Sequence, residues 1–92
     1  MATFEEHCAD CVAALGEPFE QVHRWLDELF ATYGLDHRPE RHHVGGVEEV
    51  RKRWGDRAAQ AAEIHIRRDY YGELPTEEQA EMWKLFRPSG QA

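Results

Sequence analysis

Apolar positions recur three and four residues apart in successive stretches of the chain, and the strict alternation of a half-buried strand is found nowhere. Phe4, Cys8, Cys11, Val12 and Leu15 keep the helical spacing. Thr3 and Glu6 stand as a capping box before them and Gly16 as a C-cap after them, which predicts a first helix over 3–15. Phe19, Val22, Leu26, Leu29, Phe30 and Tyr33 form a wider, core-facing stripe over 18–33, with Pro18 in the first turn and Gly34 at the end. A third helix is expected over 36–54, capped by Asp36, with Pro39 in its first turn and His43, Val47, Val50 and Trp54 in line. Gly45 and Gly46 inside it cost about 1 kcal/mol each relative to alanine, a cost usually offset by close approach of a helix backbone or a ligand. Asp56 and Gly72 bracket a fourth helix over 56–71. Thr76 and Gln79 announce a fifth over 76–86, with Ala80, Trp83 and Phe86 facing inward. Arg87, Pro88 and the tail to Ala92 are expected to fray. The pattern predicts an all-α, single compact bundle of about five short helices.

The fourth helix carries the chemistry. Ala58, Ala61, Ala62, His65 and Asp69 share one face. The alanines let a partner helix come close, and the imidazole and carboxylate one turn apart can grip a metal ion or orient a proton. The same H-x-x-x-D spacing recurs at His23 and Asp27. In the third helix His43 is in register with the valines and His42 lies about 100° around the helix. His23, Asp27, His43, His65 and Asp69 are therefore the candidate metal ligands, with His42 the competitor of His43. Such a set converges from three helices as it does in bundle cores. Imidazole with carboxylate suits a divalent Zn, Mn, Fe or Ni ion. Three histidines and two aspartates exceed one tetrahedral shell, so the surplus implies higher coordination, a second ion, or an aspartate that orients a ligand. Against this stands a plainer reading, in which each His/Asp pair is an ordinary intrahelical polar contact.

Composition narrows the field. Eleven basic against eighteen acidic residues give a net charge of −7 over 92 residues, which argues against tracking nucleic-acid phosphates or anionic membranes. No apolar run approaches the roughly 20 residues of a membrane-spanning helix. The acidic N-terminus is unlike a signal peptide, so a cytoplasmic location is expected. Two cysteines, Cys8 and Cys11, cannot make a disulfide framework, and at helical spacing they read as core. The arginines cluster between Arg38 and Arg57. Arg38 and Arg41, beside His37 and His42, are candidates to hold a phosphate near a metal.

Three blocks, H-R-W-L-D (His23 to Asp27), H-R-P-E-R-H-H-V-G-G-V (His37 to Val47) and E-I-H-I-R-R-D-Y-Y-G-E-L-P (Glu63 to Pro75), resemble a small family of uncharacterised bacterial and phage proteins, a domain of unknown function. His7 and the stretch Trp83 to Pro88 match it more loosely, and the connection between the second and third blocks is shortened here to Trp54–Arg57. The resemblance groups the His/Asp blocks and brings no reaction with it.

Two functions follow as expectations. One is a small metal-binding helical protein, in its most specific form a metal-dependent phosphoester hydrolase in which the ion activates water and Arg38 or Arg41 holds the anion. The other is a non-enzymatic interaction module, a homodimer or a binder of a protein partner, whose His/Asp groups form a buried polar network.

Overall fold

The computed structural model describes residues 2–86, without the side chains of Leu35, Asp36 and Phe86. Its elements are α1 (Phe4–Leu15), α2 (Glu20–Asp27), α3 (Phe30–Tyr33), a 3₁₀ turn (Gly34–His37), α4 (Arg38–Arg41), α5 (Val44–Trp54), α6 (Asp56–Asp69) and α7 (Glu77–Phe86). There is no strand among the described residues. Arg87, Pro88 and the tail to Ala92 lie outside them.

The helix ends obey local chemistry. Thr3 accepts from the Glu6 amide while Glu6 reaches back to the Thr3 amide, and Gly16 closes α1 in the left-handed region. Thr76 and Gln79 repeat the box at the head of α7. Two of the expected helices are broken. The helix expected over 18–33 starts only at Glu20, behind Phe19 in the left-handed region, and turns at Glu28–Leu29. The helix expected over 36–54 breaks at His42 and His43, so Pro39 sits in the short α4 and the two glycines open α5.

α6 lies at the centre and packs on α5, α1 and α2. Ala58, Ala59, Ala61, Ala62, His65, Ile66 and Asp69 are all buried along it. Cys11, Phe19, Val22, Leu26, Val47 and Val50 complete the apolar core. Around Cys11, whose Sγ lies 3.9 Å from the Ala61 carbonyl, the helices meet almost at backbone distance. On α1 the buried face is His7 and Cys11, whereas Val12, expected inside, is 49% exposed. Trp54, expected in the stripe of α5, is 40% exposed, and Trp83 stacks on Tyr70 at the surface. No helix among the described residues is long and apolar enough to cross a membrane.

Candidate metal centre

Next to the alanine-lined core lies a polar one. His7, His23, His37, His42, His65 and Asp69 are buried, and Asp27 at the end of α2 joins them with its side chain 31% exposed. The break between α4 and α5 is what brings His42 in. His42 leaves the helical region, and His43 is extended with its Nδ1 accepting from the Gly45 amide as the N-cap of α5. His43 Nε2 donates to the Glu40 carbonyl, so both of its nitrogens are used in the elbow. Gly46 makes the elbow tight, because its Cα faces the backbone carbonyl of Arg41.

Four ligand atoms converge. His42 Nε2 lies 3.1 Å from His65 Nε2, 3.3 Å from Asp27 Oδ1 and 3.4 Å from Asp69 Oδ2. His65 Nε2 lies 3.4 Å from Asp27 Oδ1 and 3.5 Å from Asp69 Oδ2. Ligand atoms of the four residues all fall within 4.8 Å of one another. A tetrahedral ion with bonds of about 2.0–2.1 Å sets its ligands about 3.3–3.4 Å apart. The five edges match that figure to within a few tenths of an ångström. Asp27, His42, His65 and Asp69 form a cluster that could hold a metal ion.

Hydrogen bonding fixes which nitrogen of His65 is bare. His23 Nε2 can only donate to the Pro18 carbonyl, at 2.8 Å, so a neutral His23 keeps its lone pair on Nδ1. That lone pair, 2.9 Å from His65 Nδ1, accepts the proton there. The remaining lone pair of His65, on Nε2, then points at two carboxylates and at His42. Such a lone pair repels carboxylate oxygens unless a cation or a proton lies between them. Asp69 Oδ2 is buried with no hydrogen-bond partner among the described residues. A divalent ion would satisfy both atoms at once, and His23 would act as the outer hydrogen-bond partner that metal-bound histidines usually have.

The surrounding electrostatics agree. Burial would raise Asp27, but the hydrogen bond from His37 and the neighbouring rings of His42 and His65 outweigh it and hold the carboxyl far below its usual range. Asp69 behaves in the same way, with His42 and His7 overcoming its burial. Both carboxylates are thus ionised. Burial lowers His65 to about 4 despite its contact with Asp27, and burial also lowers His23, so both rings are neutral, as ligation and the relay require. His37 donates from Nε2 to Asp27 Oδ1 at 2.9 Å and has Nδ1 2.8 Å from the Gly34 carbonyl.

The residues singled out in the sequence fall in different places. Asp27, His65 and Asp69 are in the cluster and His23 is one ring behind it. His42 takes the position expected of His43, because the helix that put His43 in register with the valines does not begin until Val44. Arg41 points away. Its guanidinium donates to the Trp25 carbonyl and Glu28 and covers the Trp25 ring at 4.3 Å. Arg38 stays near the cluster, beside a cleft described below. Cys8 and Cys11 lie apart, and burial pushes the Cys11 thiol up to about 11, which suits core packing rather than ligation.

His7 is the residue sequence reasoning undervalued. Its ring stacks on His65 with centroids 3.5 Å apart, and its Nε2 lies 3.4 Å from Asp69 Oδ1, close enough for ion pairing but too poorly aligned for a hydrogen bond. The available signal was its i, i+4 relation to Cys11 on the buried face of α1. The chain matches no family model, no curated protein and no solved structure.

Proposed function

We propose that this protein binds one divalent transition-metal ion through Asp27 Oδ1, His42 Nε2, His65 Nε2 and Asp69 Oδ2. The observation that carries the reading is the set of ligand-to-ligand distances between 3.1 and 3.5 Å, with the carboxylate oxygen Asp69 Oδ2 buried among them without a hydrogen-bond partner. Two imidazoles and two carboxylates suit zinc best in a tetrahedral site, with Mn, Fe or Ni favoured if further ligands join. The ion would tie α2, the α4–α5 elbow and α6 together. The three blocks behind the family resemblance each supply part of this set.

A phosphoester hydrolase is the narrower form of the same reading. It requires a position for water on the ion, and the partly exposed side of Asp27 is the route by which water would reach it. The competing reading is a metal-free polar network in an interaction module, favoured by the direct His23–His65 and His37–Asp27 hydrogen bonds. It leaves Asp69 Oδ2 buried without a partner, which weighs against it.

Elemental analysis of the untagged full chain decides between them. One ion per chain is expected, lost in H65A and D69A. Cobalt in its place should give the strong visible absorption of a tetrahedral site. A well-folded chain that takes up no zinc, manganese, iron or nickel on addition refutes the proposal. Metal uptake without turnover of a phosphate-ester panel removes the hydrolase and keeps the metal centre.

A further inference from the structure

Beside the cluster, and sharing Asp69 with it, a cleft of about 320 Å³ is lined by Ala2, Glu6, Arg38, Arg68, Asp69 and Tyr71. That volume is at the low end for small-molecule sites. Its charges are unevenly used. Glu6 accepts from the Thr3 amide and from Arg68, and Arg68 also grips Asp10 through two oxygens. Asp69 Oδ1 faces His7 and the Ala2 amide. Among the described residues Arg38 has no such counterpart. Among the described residues every other arginine is paired with a carboxylate: Arg24 with Glu20, Arg41 with Glu28, Arg51 with Glu48, Arg53 with Glu49, Arg57 with Glu17, Arg67 with Glu63 and Arg68 with Asp10. Arg38 has only the face of Tyr70, 5.7 Å from the ring centroid, and its Nε is buried without a hydrogen-bond partner.

An arginine with no carboxylate partner among the described residues, in a chain of net charge −7, leaves a donor fork open. Tyr71, on the rim, is 99% exposed and lies in the turn that closes α6, where the Gly72 amide donates to the Arg67 carbonyl. We propose that this cleft binds a small oxyanion of the phosphate class, with Arg38 as its principal anchor and the Tyr71 hydroxyl and Arg68 at its rim. The inference rests on the metal reading in one respect. Asp69 lines the cleft, and an ion behind it cancels the charge that would otherwise repel the ligand. A dianionic phosphate suits this combination of a free guanidinium, a part-used second one and a nearby ion better than a monoanionic carboxylate does.

The experiment uses the full chain loaded with one zinc and freed of excess, with inorganic phosphate as the probe in a calorimetric titration. Phosphate should bind the wild type. R38Q should weaken it by about tenfold or more, as expected for loss of a charged anchor. R38K should recover part of the loss, and R41Q, altered at a residue held by Trp25 and Glu28, should match the wild type. Zinc content reports that each variant is folded. A zinc-loaded wild type that takes up no phosphate overturns the proposal, as does an R38Q protein of unchanged affinity. A chain that holds no zinc overturns the metal centre instead and is recognised before phosphate is added. Phosphate titrated into that zinc-free protein then keeps the cleft if binding is lost in R38Q, and discards it if there is none.

Discussion

Gly45 and Gly46 are neighbours in one helical turn, yet alanine should have opposite consequences at the two. At Gly46 an added Cβ would stand 2.8 Å from the carbonyl carbon of Arg41 and closer still to its oxygen. Both obstacles are backbone, so no rotamer change relieves them and the α4–α5 elbow must open. At Gly45 the Cβ would meet the carboxylate end of Glu77, with Cδ at 2.6 Å, and His43 Cε1 at 2.8 Å. Glu77 is a flexible surface side chain that can swing away, and the His43 ring, a side chain rather than backbone, has to give by a few tenths of an ångström within its two hydrogen bonds. Each substitution gains about 1 kcal/mol of helix propensity. Overpacking typically costs about 1–3 kcal/mol and more where, as here, the obstacle is backbone that cannot rotate away. G46A should therefore lose about 2–3 kcal/mol net, lowering Tm by roughly 10–20 °C for a chain of this size. G45A should stay within about 1 kcal/mol of the wild type. The elbow also carries His42, so G46A should weaken zinc binding by about tenfold or more, while G45A leaves it nearly intact. Urea denaturation and competition with a chromophoric chelator measure the two effects. A G46A protein as stable as the wild type, or a G45A protein that loses zinc more readily than G46A, would refute the reasoning.

The same elbow shows where sequence reading stops. Caps at Thr3, Gly16 and Thr76 were legible because each is a local hydrogen-bond pattern written in a few consecutive residues. The face of α6 was legible because alanines, His65 and Asp69 keep one period through 14 residues. The break at His42–His43 was not, because apolar spacing continues smoothly across it. It is created by the imidazole of His43 capping α5 and by the approach of Gly46 to Arg41, neither of which periodicity encodes. The glycines did announce a close approach, without saying that its partner was the preceding turn of the same chain. His7 was obscured in a similar way. The stripe drawn through Phe4, Cys8, Cys11, Val12 and Leu15 put Cys11 inside, where it lies, but it also took in the exposed Val12 and passed over His7, which packing against α6 buries beside Cys11.

Four further outcomes are expected. H42A should abolish stoichiometric zinc binding, whereas H43A should keep it and cost about 1 kcal/mol as a lost N-cap, both read by elemental analysis and urea denaturation. H23F should reduce zinc affinity by about 10–100-fold by leaving the His65 Nδ1 proton without its acceptor, and unchanged affinity would discard the relay. Zinc at a hundredfold excess over its Kd should raise stability by about 2.7 kcal/mol over the chelator-treated protein, a shift of roughly 10–20 °C in a thermal melt. In the zinc-free protein His65 stays neutral down to about 4 while the unfolded chain takes up its proton near 6.5, so acid favours unfolding. Faced by His7, His23, His42, Asp27 and Asp69, it should cost about 2 kcal/mol between pH 7 and pH 5 in urea midpoints, and a flat profile would count against a buried neutral ring.

The balance of large and small side chains in the interior ties these expectations together. Apolar burial rests heavily on Ala58, Ala59, Ala61, Ala62 and Cys11, while five of the bulkiest fully buried side chains are histidines. Desolvating those rings with two carboxylates is costly, and hydrogen bonds return only part of it. Apolar residues of the same volume would make a more stable core, so the polar cluster answers to something other than stability of the bare chain. The proposed ion would supply that reason, because structural zinc sites contribute on the order of 10 kcal/mol to folding. The alanines then acquire a second role. They bring α6 close to α1, α2 and α5, so that the short arms of His65 and Asp69 reach Asp27 and His42 at coordination distance. A larger residue at Ala61 or Ala62 would push those partners apart before it improved the core. The alanine stripe and the ligand set are on this argument one device, with the first setting the distance at which the second can work.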